Sequence, residues 1–315
     1  MGTWLEVRVE ADQRETALLA SEAALRAIQG VEARLSTWTG ESELARLNGH
    51  PVGERFALSP ELAADLALAR ELALETSGAF DPALGPLVHV WGLRSGGRAP
   101  SADELATARA ASGMSAFLLE DDVAVRLHPG ASFEEGGFGK GIGLDAALQA
   151  ARTAGARSAV VDLGGQLAVL GTVETTVGLA HPQRRDELVA ELELVCGSVA
   201  TSGNSERGIV VAGERRSHLL DPRTGRPAED FGSITVRAAD ATRADALATG
   251  LYVLGPQRAL EFAARTADVE VVVVQVVQGA LQIHASAGWR GRLRSLDPGT
   301  AVRFHGETRS VSHEE

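Results

Sequence analysis

The chain has 315 residues, 44% of them apolar and 23% charged, with a formal net charge of −12. That length can build a sizeable core in one large domain or two ordinary ones, and the acidic balance argues against nucleic acid or an anionic membrane as the principal partner. Cys196 is the only cysteine, which excludes an internal disulfide and a cysteine-based metal site, and no apolar run is long enough to span a bilayer, so a soluble chain with no transmembrane segment is expected.

Leu5-Glu6-Val7-Arg8-Val9 reads as a strand directly after Met1-Gly2-Thr3-Trp4. No basic and apolar leader precedes it, so a cytoplasmic protein is expected as the sequence stands, and a periplasmic or membrane-anchored one if a leader is removed. Residues 12–35 carry a helical pattern with Thr16, Leu18, Leu19, Ala23, Leu25 and Ile28 as its apolar positions. A turn at 36–40 leads to a short helix from Ser42 that stops at Asn48-Gly49. A helix capped by Ser59, with Pro60 at its first position, runs to Gly78. Ala79-Phe80-Asp81-Pro82 turns the chain, and Ser101 to Glu104 has the form of a capping box.

Residues 115–119 and 123–128 form a predicted hairpin. The glycine-rich stretch from Glu134 to Gly143 leads into a helix over 142–154. Strand patterns follow at 160–163, 166–170, 189–195 and 208–212, then helices over 240–253 and 256–266. The run 269–277 reads as a core strand paired with 280–284. From Trp289 onward the chain is polar and is expected to be partly loose. Helices interrupt antiparallel-looking strands without a regular alternation. That predicts an α+β fold: a single domain of mixed, mostly antiparallel sheets with flanking helices, spanning residues 1–290, and a polar extension over 291–315.

Two stretches suggest chemistry. On the helix over 240–253, a spacing of four puts Asp245 and Thr249 on one face. A carboxylate beside a hydroxyl offers the hard oxygen ligands that Mg²⁺ prefers, although an isolated D-x-x-x-T is more often a helix cap with a packed threonine. Gly136-Gly137-Phe138-Gly139-Lys140-Gly141 just before a helix could cradle phosphate, with Lys140 supplying charge. Its spacing fits neither common phosphate-loop pattern, and a tight turn feeding a helix is the plainer reading.

The order of several stretches resembles the FAD:protein FMN transferases, the ApbE family of flavin transferases. The stretches are Met1-Gly2-Thr3; Leu35 to Trp38 with Ser42-Glu43-Leu44 and Leu47-Asn48; Ser77 to Pro82; Gly136-Gly137 with Lys140-Gly141 and Asp145; Leu163-Gly164-Gly165; Thr201-Ser202-Gly203; His218 to Gly225; and Ala244 to Thr249. The resemblance implies a T-fold-like Mg²⁺-dependent enzyme that cuts the pyrophosphate of FAD, its substrate. It would pass FMN to a Thr or Ser hydroxyl of an acceptor flavoprotein and release AMP.

By the same resemblance, the metal ligands would be Asp245, Thr249 and the carbonyl of Gly137. FAD contacts would come from Met1, Trp38, Ala79, Phe80, Asp81, Glu134, Lys140 and the backbone at Leu219. Trp38 has a face suited to stacking but could equally be core, and Asp81 could bind adenine or ribose or simply hold an Asp-Pro turn. His218 would help deprotonate the acceptor hydroxyl, with Asp245 as the rival base. The chain departs from the family pattern at Glu134-Glu135, at Asp162 and Gln166, and at Asn204-Ser205, all expected in ligand-facing loops. These departures keep open an FAD pyrophosphatase giving FMN and AMP, or a non-catalytic FAD-binding protein.

Overall fold

The computed structural model of the chain describes residues 2–204, 208–211 and 213–307. Its centre is one eight-stranded sheet: β1 (Leu5–Glu10), β2 (Ser158–Leu163), β3 (Gln166–Leu170), β4 (Gly197–Gly203), β5 (Gly232–Ala238), β6 (Glu270–Val277), β7 (Ala280–Ser286) and β8 (Val302–His305). Their order across the sheet is their order in the chain, and every pairing is antiparallel except the last, β7 with β8. The α+β expectation with mostly antiparallel pairing therefore holds.

Among the described residues eight α-helices accompany the sheet: α1 (Arg14–Leu35), α2 (Glu43–Gly49), α3 (Pro60–Glu75), α4 (Gly85–Val90), α5 (Ala102–Ala110), α6 (Gly139–Thr153), α7 (Ala241–Leu254) and α8 (Pro256–Arg265). The predicted caps form as read. Ser59 Oγ accepts the Leu62 N–H, and Ser101 with Glu104 closes a capping box.

The sheet is covered on both faces. Val271 and Val273 pack with Ile234, Val236 and Leu247 under α7 and α8, while Val272 and Val274 point the other way. There they meet Val189, Leu192 and Leu293 of a three-stranded sheet built from Thr175–His181, Arg184–Leu194 and Leu293–Ser295. This is why β6 reads as a nearly unbroken valine run rather than an alternation. Each of those four valines is at most 1% exposed. Full burial of a side chain of that size is worth about 1.5–3 kcal/mol, more than any local propensity at these positions.

Two expectations change. The inward face of α1 is Ala20, Ala24, Ile28, Val31 and Leu35, whereas Leu18, Leu19 and Leu25 are exposed. Ala20 and Ala24 share a cluster with Ala147 and Ala151 of α6. Small side chains let two helices approach closely, so packing selects alanines over the more apolar leucines. Next, α6 begins at Gly139 rather than Ile142, so the glycine run supplies its first turn. The polar stretch after Trp289, expected to be partly loose, holds two ordered strands. Leu293–Ser295 pairs with the 184–194 strand, and β8 lays Val302 and Phe304 against the core.

Candidate active site

The site is built where the first turns of α6 and α7 cross. A Cβ on Gly141 would lie 2.4 Å from Thr242 Cα and 2.5 Å from the Ala241 carbonyl, so only glycine permits this approach. Each helix then donates amides to a carboxylate on the other. Asp145 of α6 accepts from Ala241 N at 2.8 Å, Thr242 N at 2.9 Å and Thr242 Oγ1 at 2.6 Å. Asp245 of α7 accepts from Gly141 N at 3.1 Å and from Lys140 Nζ at 2.9 Å. Free N–H groups at a helix start favour a carboxylate there. Burial pushes the Asp145 carboxyl above its ordinary value, against the pull of its three donors.

Beside this crossing opens a pocket of about 360 Å³. Lys140, Asp245, Thr249, His218, Leu219 and Trp38 all line it, although they come from four separate segments of the chain. The turn between β2 and β3 adds Gly164 to Gln166, β4 and β5 add Thr201 and Thr235, and the 175–194 hairpin adds Pro182 and Arg185. Gly137 sits behind the pocket. It is not among the lining residues, and a Cβ built on it would meet Thr249 Oγ1 at 3.4 Å and the Phe80 ring at 3.1 Å. A larger cavity of about 470 Å³, walled in part by Cys196, Arg237 and Arg290, contains none of the residues expected from the sequence.

The other expected contacts lie elsewhere. Ala79 and Phe80 are core residues, 1% and 2% exposed, and Phe80 meets Phe138 edge to face. Neither lines the pocket. Asp81 does not line it either: its carboxylate accepts Ala83 N at 2.8 Å and Met114 N at 3.0 Å, so it braces the turn. Glu134, its carboxyl raised by burial, is ion-paired with Arg94 and stays outside the lining. Leu219 does line the pocket, but both its main-chain groups are engaged, its N–H with Ser217 Oγ and its carbonyl with Ala228 N. Met1 lies outside the described residues.

Trp38 is 66% exposed at the pocket rim, with the Arg94 guanidinium 4.5 Å over its ring. Arg94 also donates to the Thr37 carbonyl and hydroxyl, so one side chain holds the Trp38 loop to Glu134. No sequence signal marks it, because it sits in an ordinary Gly/Arg/Pro loop. Two of the sequence departures prove to be braces. Asn204 is buried, bonded to Tyr252 Oη and to Ser217 Oγ, and so anchors the turn carrying His218. Gln166 donates to the Ala241 carbonyl and steadies the start of α7. Of the rest, Glu135 does line the pocket and accepts from Thr37 Oγ1, while Asp162 holds the Gly165 amide. Ser205 lies outside the described residues.

The donor set suits a small divalent cation. Asp245 offers one buried carboxylate, Thr249 of the same helix offers a neutral hard oxygen on the same pocket, and a side-chain ammonium already rests on the carboxylate. Among the described residues, no three His, Cys, Asp or Glu side chains converge on one point, at this pocket or elsewhere. With one carboxylate, the remaining coordination would fall to neutral oxygens and to phosphate.

Comparison with known proteins gives a consistent result. The ApbE family matches residues 1–273. The FAD:protein FMN transferase of Vibrio cholerae is 29% identical over 274 residues, covering 84% of this chain and 82% of that one. Its Treponema pallidum counterpart is 30% identical over 321 residues, covering 94% and 88%. Among solved structures, the flavin transferase ApbE from Vibrio cholerae superposes with a TM-score of 0.80 at 26% identity over 93% of this chain and 96% of that chain. The ApbE protein of Thermotoga maritima gives 0.77 at 29% over 87% and 92%.

Proposed function

The chain belongs to the ApbE family, and from that premise we propose that it is an FAD:protein FMN transferase using Mg²⁺ and a Thr or Ser hydroxyl of an acceptor protein. The observation that carries this reading is the meeting of Asp245, Thr249, Lys140 and His218 on one pocket at a helix crossing. A diphosphate there would face the Lys140 ammonium, whose charge suits phosphate.

In the reaction, the acceptor hydroxyl oxygen forms a bond to the FMN phosphorus. The bond from that phosphorus to the bridging oxygen breaks, and AMP leaves with that oxygen. His218, on the pocket wall, takes the hydroxyl proton. Asp245 is a poorer base, since a main-chain amide and an ammonium already engage its two oxygens. A cation held by Asp245, Thr249 and the Gly137 carbonyl would supply neutralisation of the charge developing on the phosphate oxygens. Trp38 and its Arg94 brace offer a flat surface at the rim for a ring system.

The test is incubation with FAD, Mg²⁺ and a candidate acceptor, following acceptor mass and AMP. Covalent FMN on the acceptor with one AMP per transfer is expected. Free FMN and AMP with an unmodified acceptor would replace the reading by a pyrophosphatase, and FAD left intact would replace it by a binding protein.

A further inference from the structure

We infer that Lys140 is an exchangeable counter-ion, which holds the cation's place on Asp245 and gives it up to a diphosphate, so that nucleotide and divalent cation bind cooperatively. The inference rests on Asp245 being a cation ligand, as proposed above.

Asp245 is 5% exposed, and a carboxylate so buried needs a counter-charge. Lys140 is the one cationic side chain in contact with it among the described residues, at 2.9 Å from Oδ1. A metal ion bound through Oδ1 would compete with that ammonium for the same oxygen and would be repelled by it at close range. The other oxygen, Oδ2, is fixed by the Gly141 amide, so the carboxylate keeps its orientation when the ammonium departs.

Lys140 is built to leave. Its side chain is 31% exposed against 7% for Asp245, and it lines the pocket. A lysine ammonium is a point charge on a flexible stem, able to swing to a new partner without the planar fit an arginine demands. The pocket that its ammonium lines is where a diphosphate would settle, drawn by that charge. A phosphate entering there gives the ammonium a second anion and releases Oδ1. By linkage, the nucleotide then raises cation affinity and the cation raises nucleotide affinity by the same factor.

The test measures binding rather than turnover, with Mn²⁺ as the probe and free Mn²⁺ read by electron paramagnetic resonance on nucleotide-free protein. Lys140→Met removes the competitor, so it is expected to bind Mn²⁺ about tenfold tighter than wild type. In EDTA the same variant binds FAD more weakly. Lys140→Arg keeps a charge on Asp245 and is expected to bind Mn²⁺ no tighter than wild type. Asp245→Asn abolishes the site.

Unchanged or weaker Mn²⁺ binding by Lys140→Met, with binding still lost in Asp245→Asn, would overturn the exchange and leave the cation site standing. Tightening by Lys140→Arg equal to that of Lys140→Met would also overturn it. If Mn²⁺ binding never depended on Asp245 in any variant, the cation site itself would fall, and the exchange with it.

Discussion

Asp145 and Asp245 are near mirror images that do different work. Asp145 lies four residues after Gly141, whose amide serves Asp245, and Asp245 lies four after Ala241, whose amide serves Asp145. Both carboxylates sit where two helix starts present unpaired amides to each other. Asp145 is closed off by three donors from a single fixed turn. Asp245 receives one amide, and its other oxygen faces a partly exposed ammonium at the pocket wall. A carboxylate saturated by main chain holds helices together. One that shares its charge with an exchangeable side chain can take part in chemistry.

The sharpest way to break this contrast is Asp245→Asn, which still accepts from Gly141 but loses the charge. Transfer should fall on the order of 10³-fold, the scale of removing a group that neutralises charge in phosphoryl transfer. The unfolding midpoint should move little, and a near-normal rate of AMP release would remove Asp245 from the chemistry. Asp145→Ala should do the reverse. It strands two amides and a hydroxyl at the start of α7, and the cost should be about 2–3 kcal/mol in urea unfolding. A stability equal to wild type would show that Asp145 is not the structural twin.

Thr249→Val keeps the shape of the side chain and deletes its oxygen. The Mg²⁺ concentration giving half-maximal rate should rise about tenfold, in line with losses seen around other metal sites; an unchanged value would leave Asp245 without its neighbour. The smallest effect concerns pH. Because burial raises the Asp145 carboxyl, the native state holds that proton more tightly than the unfolded chain. Its stability contribution is therefore complete below the ordinary carboxylate value and is lost as pH rises through the raised one. Wild type should gain stability relative to Asp145→Asn as pH falls through the raised carboxyl value, and a flat difference in unfolding midpoint would show that burial does not control this group.

Much of this was legible from residue order. The Asp245–Thr249 spacing put both oxygens on one helix face because 3.6 residues make a turn, and the valine run of β6 read as a core strand. Asp81 before Pro82 was legible as a turn, and a turn is what its carboxylate braces. Other features were hidden. The α1 leucines promised an inward face that the alanines took, because helix approach rewards small volume and hydropathy does not record it. Arg94 carried no local pattern, and Asn204 looked ligand-facing until its partners Tyr252 and Ser217 came into reach across the fold.

By itself, then, the sequence determined the strands, the helix phases and the residue types able to hold a cation and a phosphate, since these follow from short-range periodicity and side-chain chemistry. Tertiary structure alone decided which carboxylate faces the pocket, which lysine rests on it and which glycine lets two helix starts touch. Those outcomes depend on contacts about a hundred residues apart in the chain, such as Lys140 with Asp245, which no local pattern encodes.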